Sequence, residues 1–100
     1  MTLAEFRASL TDAKPPAGLA APLEALWHSG HGDWDRAHRI VMDAKGTDAG
    51  WVHAYLHRQE GDLENARYWY SHSKRPEVTG DLAEEWSAIA AALLEASGPR

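Results

Sequence analysis

The apolar positions of the chain fall into six short stripes at helical spacing. Leu3, Phe6 and Leu10 follow Thr2 and Glu5, which stand three apart as in a capping box, and predict a first helix from Leu3 to about Asp12. Ala13-Lys-Pro-Pro-Ala-Gly18 closes it, because adjacent prolines forbid helix and favour an extended connector. Pro22 suits a first helical turn, and Leu23, Leu26 and Trp27 continue a second helix that Gly30 and Gly32 stop. A third, capped by Asp33 and stopped at Gly46, carries Trp34, Ala37, Ile40, Val41 and Ala44. A fourth, capped by Asp48, carries Trp51, Val52, Tyr55 and Leu56 as far as Gly61. Asp62 caps a fifth with Leu63, Ala66, Trp69, Tyr70 and Ser73, and Pro76 lies beyond its end. Asp81 and Glu84 form a second capping box before Leu82, Trp86, Ile89 and Leu93, and Gly98-Pro99 closes the chain.

Composition narrows this picture to an all-α protein. The 100 residues suit one domain with one core, and a 44% hydrophobic content rich in alanine, with few Val, Ile and Thr, suits helix contacts better than strands. No apolar run approaches the ~20 residues of a membrane span, and the Met-Thr-Leu-Ala-Glu start lacks a signal-peptide profile, so a cytoplasmic protein without a membrane partner is expected. The absence of cysteine excludes disulfides, a thiol nucleophile and thiolate metal sites. A formal charge of −5 opposes binding to a phosphate backbone, and no nucleic-acid partner is expected.

Sliding the chain on itself by 29 positions superposes Gly32-Asp-Trp-Asp-Arg-Ala37-His on Gly61-Asp-Leu-Glu-Asn-Ala66-Arg, and His28 on His57. Gly gives a left-handed exit from one helix and Asp caps the next, so each copy reads as a tight corner followed by an alanine that permits close helix approach. The Gly-Asp-x-x-x-Ala runs, with Ala25 and Ala54 at small-residue positions, resemble tetratricopeptide (TPR-like) repeats over residues 22–76. The period is shorter than the family's usual ~34, and His28 and His57 stand where a large aromatic is usual. The run His57-Arg-Gln-Glu60-Gly-Asp62-Leu-Glu-Asn65-Ala-Arg-Tyr68-Trp69 is also similar to a family of small helical proteins of uncharacterised role, marked by His-Arg-x-Glu-Gly-Asp-x-x-Asn-Ala-x-Tyr-Trp. These resemblances imply three antiparallel helical hairpins in TPR-like right-handed stacking. Residues 1–18 would be an N-terminal helix and Pro-rich connector, 22–76 two TPR-like repeats, and 81–97 a capping helix over the open apolar edge.

Candidate chemistry centres on six histidines and five tryptophans. His53 and His57 share a helix face with Glu60, but two turns of one helix do not bring three ligands to one ion at ~2 Å, and the His-Glu-x-x-His signature is absent, so no metal is assigned. In the TPR-like register both histidines point at the partner helix, where Asn65, Tyr68 and Trp69 wait. A polar network or pocket of His53, His57, Glu60, Asn65 and Trp69 is the expectation. The first helix of each TPR-like repeat faces inward, which would place Trp51, Tyr55 and Arg58, with Tyr68 nearby, in a concave groove, and Trp, Tyr and Arg dominate binding hot spots. No nucleophile elbow or phosphate loop occurs, and no catalytic residue or cofactor is assigned. The expected function is protein or peptide recognition, with self-association left open. The alternative is a small-ligand site or enzyme built on the His/Glu/Asn pocket.

Overall fold

In the computed structural model, which describes residues 1–96, all regular structure is helical. Thr2 caps α1 (Leu3–Ala8) through the reciprocal bonds of a capping box with Glu5. The chain then tightens into a 3-10 turn at Ser9–Thr11 instead of carrying α-helix on to Asp12. Pro22 lies in the first turn of α2 (Ala21–Gly30), where its missing N–H is harmless. Asp33 caps α3 (Trp34–Asp43) by accepting from the Arg36 N–H.

Two expected boundaries shift around Gly46. α3 ends at Asp43, and Gly46, with φ 100°, is the N-cap of α4 (Thr47–Glu60) rather than the stop of α3. Asp48 therefore sits inside the first turn of α4, near the positive end of the helix dipole, and is not its cap. Asp62 caps α5 (Leu63–His72) by accepting from the Asn65 N–H. Asp81 accepts from the Glu84 N–H at the start of α6 (Leu82–Ala96). The expected Gly98-Pro99 stop lies outside the described residues.

α2 packs on α3 and α4 on α5 across short corners, α3 and α2 both touch α4, and α6 lies against α2 and α4 with α1 beside it. The core gathers at this centre: Phe6, Leu26, Trp27, Val52, Leu56, Ile89 and Ala90 are fully buried. Each large apolar side chain so buried contributes ~1.5 to 3 kcal/mol. Three indoles fasten separate elements through their N–H groups. Trp27 donates to Ser9 Oγ at 3.0 Å, Trp34 to the Leu56 carbonyl at 2.8 Å, and Trp86 to the Leu26 carbonyl at 2.9 Å. A smaller cluster of Ala54, Ala66 and Tyr70 closes α5 onto α4.

Candidate functional site

Helical periodicity puts His53 and His57 one turn apart on the face of α4 that meets α3 and α5, and α3 brings His38 up to them. The three imidazoles form a near-equilateral triangle, with ring centroids 4.9 Å apart for His38–His53 and His53–His57 and 5.1 Å for His38–His57. The Nε2 atoms of His38 and His53 lie 3.1 Å apart, close enough for one to donate to the other. Two indoles flank the triangle. Trp34 stacks on His38 at 4.7 Å, and Trp69 stacks on His53 at 4.0 Å and 14°. Both rings fix imidazole planes by packing alone.

His57 is held from behind. Its Nδ1 lies 2.7 Å from the Glu60 carboxylate, one turn on at the end of α4. An ionised carboxylate only accepts, so Nδ1 carries the hydrogen of this bond and Nε2 is the ring nitrogen left for another partner. Burial depresses the basicity of the other two. His53 is pushed down to about 4, first by desolvation and then by the charge His57 and His38 would carry. His38 is lowered first by burial and then by His57. At neutral pH both rings are therefore uncharged and have lone pairs to offer.

These rings form the floor of a cleft of about 590 Å³ among α3, α4 and α5. Val41, Ala49 and Gly50 line its apolar wall, Lys45, Asn65 and His72 bring polar groups, and Met42 lies at its rim, 61% exposed. Its lining contains no carboxylate although the chain is net acidic.

The expected network residues divide. His53, His57 and Trp69 come together as anticipated, and Glu60 reaches His57. Asn65 lines the cleft, but its side-chain amide bonds Asp62 and its position is exposed. His38 and His72 were not foreseen. His38 sits on another helix, and its only sequence signal is its place next to Ala37 in the repeated block.

The expected groove residues do not share one open surface. Tyr55 is buried under α6, and Arg58 pairs with Glu85 of α6 at 2.6 Å and also donates to the Gly80 carbonyl. Trp51 is half-buried under the Arg75 guanidinium, 3.8 Å above its ring. Tyr68 is exposed on α5, edge-on to Trp69 and 6.2 Å from His72. Glu85 is buried and also accepts from Tyr70 OH, whose proton is held tightly by burial and by that carboxylate. This pairing fixes α6 across α4 and α5, and composition alone gave no sign of it.

The chain matches no family model, no curated protein and no solved structure.

Proposed function

We propose that the protein binds a small ligand, and that its site is the cleft over His38, His53 and His57. The observation that carries this reading is the lining: His38, His53, His57 and His72 border the cleft with Lys45 and Asn65 and with no carboxylate among them, in a chain of net charge −5. Such a lining suits a ligand whose carboxylate or similar anionic group meets the Lys45 ammonium at the cleft and whose apolar part rests on Val41 and Trp69. The test is an NMR titration of the full chain, stripped of metal and exchanged into carboxylate-free buffer, with a panel of small mono- and dicarboxylates. Saturable shifts at Met42, Lys45, Gly50 and the Trp69 indole are expected. Shifts that are absent at millimolar ligand, or spread over other faces, refute it.

A protein partner that offers an acidic side chain to the same cleft is the second reading. It is favoured by the exposure of two large side chains beside the site, Met42 at 61% and Tyr68 at 60%. In this proposal the two helix pairs are TPR-like units and α6 takes the place of a bound helix on α2 and α4. Tyr55 and Arg58 then serve the chain's own last helix, and recognition moves from the concave groove to the cleft.

A further inference from the structure

From the triangle of imidazoles we infer a metal site: His38, His53 and His57 bind one divalent transition-metal ion, zinc in the first place, with an open coordination position facing the cleft. The inference rests on the cleft being the functional site and adds the group that would hold an anionic ligand there.

One ring nitrogen from each histidine lies within 4.8 Å of the other two. Tetrahedral zinc with bonds of about 2.0 to 2.1 Å needs its nitrogens about 3.3 Å apart. The His38–His53 separation is 3.1 Å, close to that spacing, and a nitrogen of His57 lies within 4.8 Å of both. Three features of the surroundings suit an ion. His38 and His53 come from different helices, so α3 and α4 supply the convergence that one helix face lacks. Glu60 binds Nδ1 of His57 and leaves Nε2 as the ligand atom, which is how carboxylates orient metal-binding imidazoles. The rings are partly shielded by Trp34 and Trp69 yet open onto the cleft, which leaves room for water or a ligand atom in a fourth position.

A second trio, His57, Glu60 and Asp62, also has ligand atoms within 4.8 Å of one another. Its groups are already engaged, Glu60 with His57 and Asp62 with the first turn of α5. In the three-imidazole site the Nε2 atoms of His38 and His53 meet each other, and an ion would take the place of the hydrogen between them. Three neutral ligands leave the ion its full double charge, so a carboxylate entering the cleft would complete the coordination shell and neutralise part of that charge.

The experiment uses the full chain without an affinity tag, stripped with EDTA, exchanged into carboxylate-free buffer and titrated with Zn²⁺ against a chromophoric chelator. One equivalent is expected to bind. Removing a ligand in His38→Ala or His53→Ala should weaken binding by about 100-fold or more, and Glu60→Gln, which only orients His57, by about 10- to 100-fold. His72→Ala should stay within about threefold, because His72 is not among the three converging rings. Circular dichroism checks that each variant folds. Should a histidine variant unfold, the unaltered chain still decides: Zn²⁺ should move the imidazole ¹⁵N resonances of all three residues, and Co²⁺ should give the visible absorption of a four- or five-coordinate nitrogen site.

Binding of less than one equivalent at ~100 μM zinc, or unmoved imidazole nitrogens, overturns the site. Affinity unchanged in both folded histidine variants does so too. Zinc failure with carboxylate shifts intact in the metal-free protein sinks the metal and leaves the cleft reading standing. Zinc binding without any response to carboxylates supports the metal and sinks the anionic-ligand reading.

Discussion

The two corners at Gly32-Asp33 and Gly61-Asp62 have the same backbone and different surroundings. The glycines have φ of 90° and 89°, the aspartates accept from the N–H three residues on, and the Asp33 and Asp62 N–H groups donate back to the His28 and His57 carbonyls at 2.8 and 2.9 Å. The side chains of those histidines diverge. His57 meets His53, His38 and Glu60. His28 packs edge-on to Trp27, and its buried Nε2 has no hydrogen bond and lies 3.8 Å from Glu24. At the 29-residue offset Glu24 stands where His53 does, and Arg67 where His38 does. A repeat therefore fixes the corner, and what packs against each copy decides whether the corner becomes a site. His57 has α3 of the preceding pair over it, whereas His28 has the Pro-rich connector near by.

The same comparison separates Arg58 from Ser29, which occupy equivalent positions. Ser29 makes neutral hydrogen bonds, to Gln59 at 3.1 Å and with Tyr55, while Arg58 makes a shielded ion pair with Glu85. Glu85→Ala should produce the largest loss of all, ~3 to 5 kcal/mol, because a guanidinium would be left unpaired where water is largely excluded. Ser29→Ala should cost only ~1 kcal/mol. Urea unfolding of both variants measures the difference. Equal losses would show that α6 is not held chiefly through the second pair.

Acid should act on the second pair next most strongly. The folded ring of His53 titrates near 4, below the ~6.5 of an unfolded chain, so between these values the unfolded state binds more protons. Stability of the metal-free protein is fully present above pH ~6.5, falls as pH drops toward 4, and levels below that, with His53 accounting for up to ~3 kcal/mol. His38 and His28, both lowered first by burial, act in the same direction. His53→Gln should flatten a large part of the slope in melting curves taken from pH 7 to 4. A slope identical to that of the unaltered chain would mean that water reaches His53 freely.

These effects show what the sequence could and could not reveal. Both Gly-Asp corners and most helix limits follow from local chemistry: Thr2 with Glu5, Pro22, Gly-Asp twice, and Asp81. Gly46 was misread because glycine serves as stop or start, and only its φ distinguishes them. The pairing of His53 with His57 and Trp69 is legible because α4 and α5 are neighbours across a short corner. His38 joins them from fifteen residues away by a contact between pairs, which no periodicity encodes. Arg58 was assigned to an open groove for the corresponding reason. Its partner Glu85 lies 27 residues on, in a helix whose docking direction the stripe of Leu82, Trp86 and Ile89 does not specify.

Replacing the two corner histidines with leucine, in EDTA, sharpens the contrast at intermediate size. His57→Leu removes the Glu60 bond and breaks the triangle, and should cost ~1 to 3 kcal/mol. His28→Leu removes a buried nitrogen that has no hydrogen-bond partner, and should be neutral or slightly stabilising. Thermal melts of the two variants side by side give the answer. A loss at His28 as large as that at His57 would mean that its ring is paired in solution.

The smallest effect tests the part of the comparison that claims identity. Asp33 accepts from Arg36 N at 3.1 Å and Asp62 from Asn65 N at 3.3 Å, both at exposed positions and both following a left-handed glycine. An N-cap aspartate satisfies one of the orphan donors of the first turn and places negative charge at the positive end of the helix dipole. Asp33→Ala and Asp62→Ala should each therefore cost ~1 kcal/mol, and because the caps serve different helices the double variant should cost their sum within about 0.5 kcal/mol. Asp62 also accepts from the Asn65 side-chain amide at 3.3 Å, a bond with no counterpart at Arg36. That extra bond is long and solvent-exposed, so any excess at Asp62 should stay below ~0.5 kcal/mol. Chemical unfolding of the three variants measures these terms. A gap above ~1 kcal/mol between the single variants would show that the two corners differ in their caps as well as in their histidines.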